Sequence, residues 1–443
     1  MTTVIENMPA KDRLIANLDS LNKRQAIAPE PIRKIAMDIL SKTEFPTTKN
    51  EEWKYTDAKP ILDFDFKFVL SESLPATDQI ASFIFSKTAN ILVFVNGFYS
   101  ERLSKINEIS NAYIGSLSDA QVSHSTVIEK HFSKYAKTEN EAYTALNTAY
   151  TSDGALIYVP AKIVIKEPVQ ILFINQTGDQ ALIAQPRVLV VCESNSQVNI
   201  VETYHSIGDA TAFTNSVTEI VCKENSHIDH YKVQLENNRS YHIGTTHVHQ
   251  EKSSVFSSFV VTLDGAFVRN NLTVVLNAEG IEAHLFGLYL PNQKQHIDNH
   301  TLVDHQKPNC NSNEIYKGII DDHASAVFNG KIFVRKDAQK TNAFQSNKNI
   351  LLSDFAKIDS KPQLEIFADD VKCSHGSSTG QFDEDALFYM RARGIGQDQA
   401  KNLLMYAFAS EIIETVKISE LKEYLYHYLS VRLHHDFSYT NYD

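Results

Sequence analysis

Cys192-Glu-Ser-Asn-Ser-Gln-Val198 returns about thirty residues later as Cys222-Lys-Glu-Asn-Ser-His-Ile228. In each copy an apolar run ends at the cysteine, an Asn-Ser turn follows, and an alternating run begins (Val198, Ile200; Ile228). Looser versions follow at Glu251-Lys-Ser-Ser-Val255 and Glu279-Gly-Ile281. A strand-turn-strand unit repeated within a period of roughly 20–50 residues predicts a solenoid, in which each coil buries its inner face against its neighbours. The fold class is therefore read as mainly β, with a parallel β-helix leading and a large antiparallel sandwich or barrel as its competitor. Only 15 glycines serve the whole chain, although hairpins favour Asn-Gly or Asp-Gly turns. Asparagines, which tolerate left-handed turns, stand at Asn195, Asn225, Asn270, Asn271, Asn299 and Asn329.

Outward from the repeat, short runs rich in β-branched and aromatic residues fill the chain from about Ala155 to Gln381, with no room for crossover helices. Before them, apolar residues recur at helical steps (Leu14, Leu18; Ile32, Ile35, Ala36, Ile39), broken by Pro29 and Pro31. A loop follows, Lys49-Asn-Glu-Glu-Trp-Lys-Tyr-Thr-Asp57, in which the chain's only tryptophan, Trp53, reads as an anchor against a core. An apolar strand stands at Ile91–Gly97. After Gln381, Ala400, Leu403, Leu404, Ala407, Phe408, Ile412 and Val416 mark one face of a helix predicted over Gln397–Val416. Three regions result: residues 1–150, mainly helical; 151–381, the β-helix core; and 382–443, helical again. The terminal helices are expected to cap the open ends of the solenoid or to present docking surfaces.

Composition narrows the function. A net charge of −12 argues against nucleic acid as a partner, since phosphate binding needs a basic face. No run approaches the roughly 20 apolar residues of a membrane span, and charged residues interrupt the first thirty positions where a secretory signal would be apolar. Four scattered cysteines (Cys192, Cys222, Cys310, Cys373) without close pairing read as reduced thiols, and the expected residence is cytoplasmic. There is no phosphate loop, dinucleotide fingerprint or Gly-x-Ser-x-Gly elbow.

The closest soft-ligand pair is Cys373-Ser-His375. On a strand these residues share one face, and a thiolate with a neutral imidazole suits zinc, copper or iron–sulfur species. Two ligands do not complete a site, so the rest must come from elsewhere in the fold or from another chain. His247 with His249, and His296, His300 and His305 with Cys310, are weaker clusters, read mostly as solvated strand or turn residues.

Longer motifs carry a family resemblance. Asn313-Glu-Ile-Tyr-Lys-Gly-Ile-Ile, Phe328-Asn-Gly-Lys-Ile, Gln345-Ser-Asn-Lys-Asn-Ile-Leu-Leu-Ser, Glu365-Ile-Phe-Ala-Asp-Asp-Val-Lys-Cys-Ser-His-Gly and Phe388-Tyr-Met-Arg-Ala-Arg-Gly-Ile resemble the SufB/SufD family of the SUF iron–sulfur cluster assembly machine. Asn50-Glu-Glu-Trp-Lys-Tyr-Thr56, and Met390 where SufB carries a cysteine, are similar to the SufD branch. The resemblance implies a right-handed parallel β-helix between helical termini, and a non-catalytic scaffold that pairs with SufB and docks the SufC ATPase. It implies His375, with a more dispensable Cys373, as an iron or cluster site at the SufB interface. It also implies Ala400, Leu403, Leu404, Ala407, Phe408 and Ile412 as the SufC-docking face. No cofactor is expected to stay bound to the isolated chain, which could form a homodimer; iron or a cluster would pass transiently, with no nucleic acid or membrane partner. The residues alone leave open a polysaccharide-acting β-helix enzyme or a free-standing metal-binding protein.

Overall fold

The two copies of the repeat lie side by side. Strand Arg187–Cys192 pairs in parallel with Ala212–Cys222, Cys192 opposite Cys222, and Gln197–Ile207 pairs in parallel with His227–Leu235, Val198 opposite Ile228. Parallel pairing of successive copies excludes the hairpin alternative, since a hairpin would make them antiparallel. The computed structural model describes residues 9–22, 26–67, 74–107, 109, 111–139, 141–381 and 384–433. In it the chain climbs a parallel β-solenoid of about eight turns, built from a 10-stranded and an 11-stranded sheet. One ladder position runs Ile228, Phe256, Ala283, Ser312, Ala343, Cys373 through successive coils.

The turn residue of the repeat has a defined job. Asn195 (φ 59°), Asn225 (φ 55°) and Ser253 (φ 55°) are left-handed. That conformation turns each backbone N–H onto the carbonyl of the next coil: Asn195 onto Glu224, Asn225 onto Lys252 and Ser253 onto Glu279, each at 3.0 Å. Lys162, Asn309 and Lys340 repeat the device, and Gly280 occupies the equivalent turn at φ 69°. Asn270, Asn271, Asn299 and Asn329, by contrast, lie inside strands, where side-chain hydrogen bonding is their role. Asn225→Val is therefore expected to cost about 1–2 kcal/mol, and Asn225→Gly close to nothing, in denaturant unfolding.

Apolar surface is buried on both faces of the sheets. Inside, Val198, Ile200, Ile228, Phe256, Val274 and Leu285 form the core between the sheets. The lumen also holds buried polar groups that hydrogen-bond one another: Glu202 accepts from Thr218 and His230, at 2.8 Å each, and Glu236 accepts from Thr214 at 2.7 Å. Tyr316 lies over Gly287, where an added Cβ would come within 2.1 Å of its ring, so glycine makes room for the aromatic layer.

Patches of the outer faces are apolar too, and this decides where the helices go. Helices α1 (Ala10–Asn22), α2 (Glu30–Lys42) and α3 (Ala142–Tyr150) set Leu14, Leu18, Ala36 and Leu40 against Phe213, Ile243 and Phe267 of the larger sheet. Helices α4 (Glu384–Ala392), α5 (Gln397–Ile413) and α6 (Ser419–Arg432) follow the last coil, and α5 and α6 pack Met405, Ile412, Ile413, Leu421 and Leu425 onto Tyr231, Phe259 and Leu288 of the smaller sheet. The expectation of end caps is thus corrected: these helices sheathe the flanks, because strands apolar on both faces must be covered on both. Trp53 is an anchor as read, buried against Tyr143, with the Arg269 guanidinium 3.8 Å from its ring.

Candidate functional site at the last coil

Strand Val371–Gly380 is the terminal rung of the 10-stranded sheet. It pairs in parallel with Thr341–Leu351, which puts Cys373 beside Ala343 and His375 beside Gln345. Its other backbone edge has no strand beside it among the described residues. Ala343 and Gln345 are buried lumen positions, so Cys373 and His375 continue the inward row onto a coil that no further coil covers among the described residues.

The pair is unequal. Cys373 is half-buried against Ala338, Ala343 and Val371. Burial pushes its thiol up, opposed by a backbone hydrogen bond at Ala343, which keeps it protonated and weakly nucleophilic near neutral pH. His375 is exposed and is not recruited into the core. Two donors fall short of the roughly four that close a zinc-type site. Among the described residues no group of three or more His, Cys, Asp or Glu is placed to hold a metal ion.

Beneath His375 lies a row the sequence reading missed. Glu314, Gln345 and His375 occupy one ladder position on three successive coils. Gln345 Nε2 donates to Glu314 Oε2 at 2.7 Å. Burial pushes the Glu314 carboxyl up to about 7, with the nearby Thr301 hydroxyl and the hydrogen bond from Gln345 opposing. The recurrence at steps of about thirty residues was the available signal.

That carboxyl makes stability pH-dependent. Its folded pKa lies above the ordinary 4.5, so the folded state holds the proton more tightly. The contribution is whole below about 4.5 and is lost as pH rises through about 7, by roughly 3 kcal/mol in full. Glu314→Gln should therefore gain thermal stability over the parent at about pH 8 and lose that advantage at about pH 5.

The family comparison bears on this arrangement. Residues 173–408 match the SufBD core domain of the SUF system for FeS cluster assembly, and residues 15–171 match the SufBD protein N-terminal region. The chain belongs to the SufB/SufD family. Within it the likeness is to SufD: it is 32% identical to the iron–sulfur cluster assembly protein SufD of Escherichia coli over 87% of this chain and 88% of that protein. An iron–sulfur cluster assembly SufBD family protein of Synechocystis is 33% identical over 93% and 91%, and SufD of Bacillus subtilis 27% over 85% and 87%. The last coil, α4 and α5 as far as Phe408 fall within the matched core.

The remaining sequence candidates separate. His247 and His249 do share the outer face of strand Ser240–Gln250, where burial holds His247 down to about 4. His296 and His300 face outward on His296–His305, whereas His305 points into the lumen and bonds Ser312 at 2.9 Å. Cys310 is buried, its thiol donating to the Ala278 carbonyl. These histidines are buried or half-buried instead of solvated, and they do not converge. On α5 the expected stripe splits. Ala400 and Ile412 are buried in the chain's own core, Leu403, Leu404 and Phe408 are half-buried, and Ala407 is exposed. The face turned to the sheet is instead Met405, Ala409, Ile412, Ile413 and Val416. Apolar residues stand on both sides of this helix, so three- and four-residue spacing alone does not fix which side is inward.

Proposed function

We propose that this SufD-like chain is the non-catalytic scaffold subunit of a cytoplasmic SUF assembly complex, pairing with SufB through the open last coil and docking the SufC ATPase through α5. The observation that carries the reading is the terminal strand Val371–Gly380, which presents His375 and Cys373 on a coil whose outer edge is unpaired among the described residues. An unpaired strand edge is a ready template for another chain. A partner there would supply the donors that His375 lacks, with iron or a cluster passing as cargo and no cofactor retained.

The test is co-purification with SufB and SufC; recovery of neither defeats the scaffold reading. Ala407→Glu, at the exposed position of the stripe, should abolish SufC binding with the solenoid still folded. Ile412→Glu should instead unfold the C-terminal helices, because Ile412 is 1% exposed. Normal SufC binding by folded Ala407→Glu would remove α5 from the interface. The isolated chain, with its edge uncovered, is expected to form a homodimer that SufB displaces.

A further inference from the structure

A cavity of about 440 Å³ opens on the outer face of the larger sheet, away from the last coil, between the Trp53 loop and the segment leading into α3. Its size suits a small molecule and far exceeds a metal ion. One wall is already built and paired. The Trp53 loop spans four coils: Thr56 Oγ1 donates to Asp298 at 2.5 Å, Asn329 donates to Glu52 at 3.2 Å, and Lys361 pairs with Glu51. Arg269, stacked on Trp53, pairs with Asp298 at 2.6 Å, and His300 sits between Asp298 (3.0 Å) and Glu52 (3.5 Å).

What remains uncommitted in the cavity is bipolar. At one end the Glu141 carboxyl has no hydrogen-bond or ion-pair partner among the described residues; it stands close enough to Glu52 and Arg269 to feel both charges. At the other end Lys137 is exposed and likewise unpartnered, near His247, whose neutral imidazole also has no partner among the described residues. Thr245 and Thr273 line the floor between them. The ends follow the strand direction: Arg269 marks the acidic end, and Thr273, four residues on, is paired with His247 at the basic end. Four strand residues span roughly 13 Å. An extended tripeptide spans roughly 10 Å between its termini.

We propose that this cavity binds a small zwitterionic peptide of about three residues, its ammonium at Glu141 and its carboxylate at Lys137 and His247. The two ends are complementary to such a ligand, and the hydroxyl floor suits its amides. The site is independent of the last coil and of the scaffold reading, so either could fail alone.

The probe is triglycine, titrated calorimetrically into the full chain, with N-acetyltriglycine and triglycinamide as analogues lacking one charge each. Triglycine is expected to bind, and each blocked analogue to bind roughly ten-fold more weakly. Glu141→Gln should erase the discrimination against the acetylated analogue only, and Lys137→Gln should reduce the discrimination against the amide only, the remainder resting on His247. Both side chains are on the surface, so folding should survive, which circular dichroism checks. Absence of triglycine binding in the millimolar range would overturn the proposal. So would equal binding of all three compounds, or discrimination untouched by both substitutions.

Discussion

Loss of cluster assembly by on the order of 100-fold is the expected result of His375→Ala in the reconstituted SUF complex. Removing even a group that only orients a metal ligand costs 10–100-fold in affinity, and a direct ligand should cost no less. The side chain is exposed on the terminal strand, so its removal leaves the core intact and the defect should appear with unchanged thermal stability. Cys373→Ala is the matched comparison. That thiol is half-buried and held protonated by burial, so little assembly activity should be lost, while a small stability change reports its contacts with Ala338 and Ala343. Iron and sulfide bound to the complex, measured alongside assembly rate, separate the outcomes. Full activity in His375→Ala would remove the last coil from the chemistry. Equal loss in both variants would point to damage at the strand edge instead of a ligand.

The largest stability effect is expected at Arg187. Its side chain is wholly buried and pairs with Glu219, while also donating to Asn147 (3.2 Å) and Thr148 (3.1 Å) of α3. Glu219 in turn accepts the backbone N–H groups of Ser133, Tyr135 and Ala136, and the guanidinium lies 4.6 Å from the Phe132 ring. This one pair fastens the N-terminal segments to the larger sheet. Arg187→Met leaves a buried carboxylate without its cation and should cost about 3–5 kcal/mol. Adding Glu219→Gln should recover part of it, because the amide oxygen still accepts backbone N–H groups and carries no charge. Hydrogen exchange should report selective opening at Ser133–Ala136. Exchange unchanged there, with stability within about 1 kcal/mol of the parent, would show that the pair is replaceable.

Much of the solenoid was legible because its determinants are local. Asn195 and Asn225 occupy left-handed turns that few residue types adopt without strain, and they repeat with the strands they join. Apolar strands such as Val255–Thr262 and Val188–Val191 declared themselves by composition. Strands with polar inward faces did not. Ser240–Gln250 and His296–His305 bury His242 and His305 in the lumen, where His242 bonds Ser216 and Glu236 and His305 bonds Ser312 of the facing sheet, and nothing in the strands' own sequence announces such partners.

The sequence by itself determined the repeat, its turn residue, and the same-face pairing of Cys373 and His375. All of these depend on spacing along one chain. Only the tertiary structure decided that the helices sheathe the flanks, that Ala400 and Ile412 are core, that Glu314 and Gln345 lie beneath His375, and that the final strand ends with an open edge. Those are relations between coils and layers, set by which apolar surfaces remain to be covered once the strands have stacked. A residue's periodicity records that it has a buried side, but not what buries it.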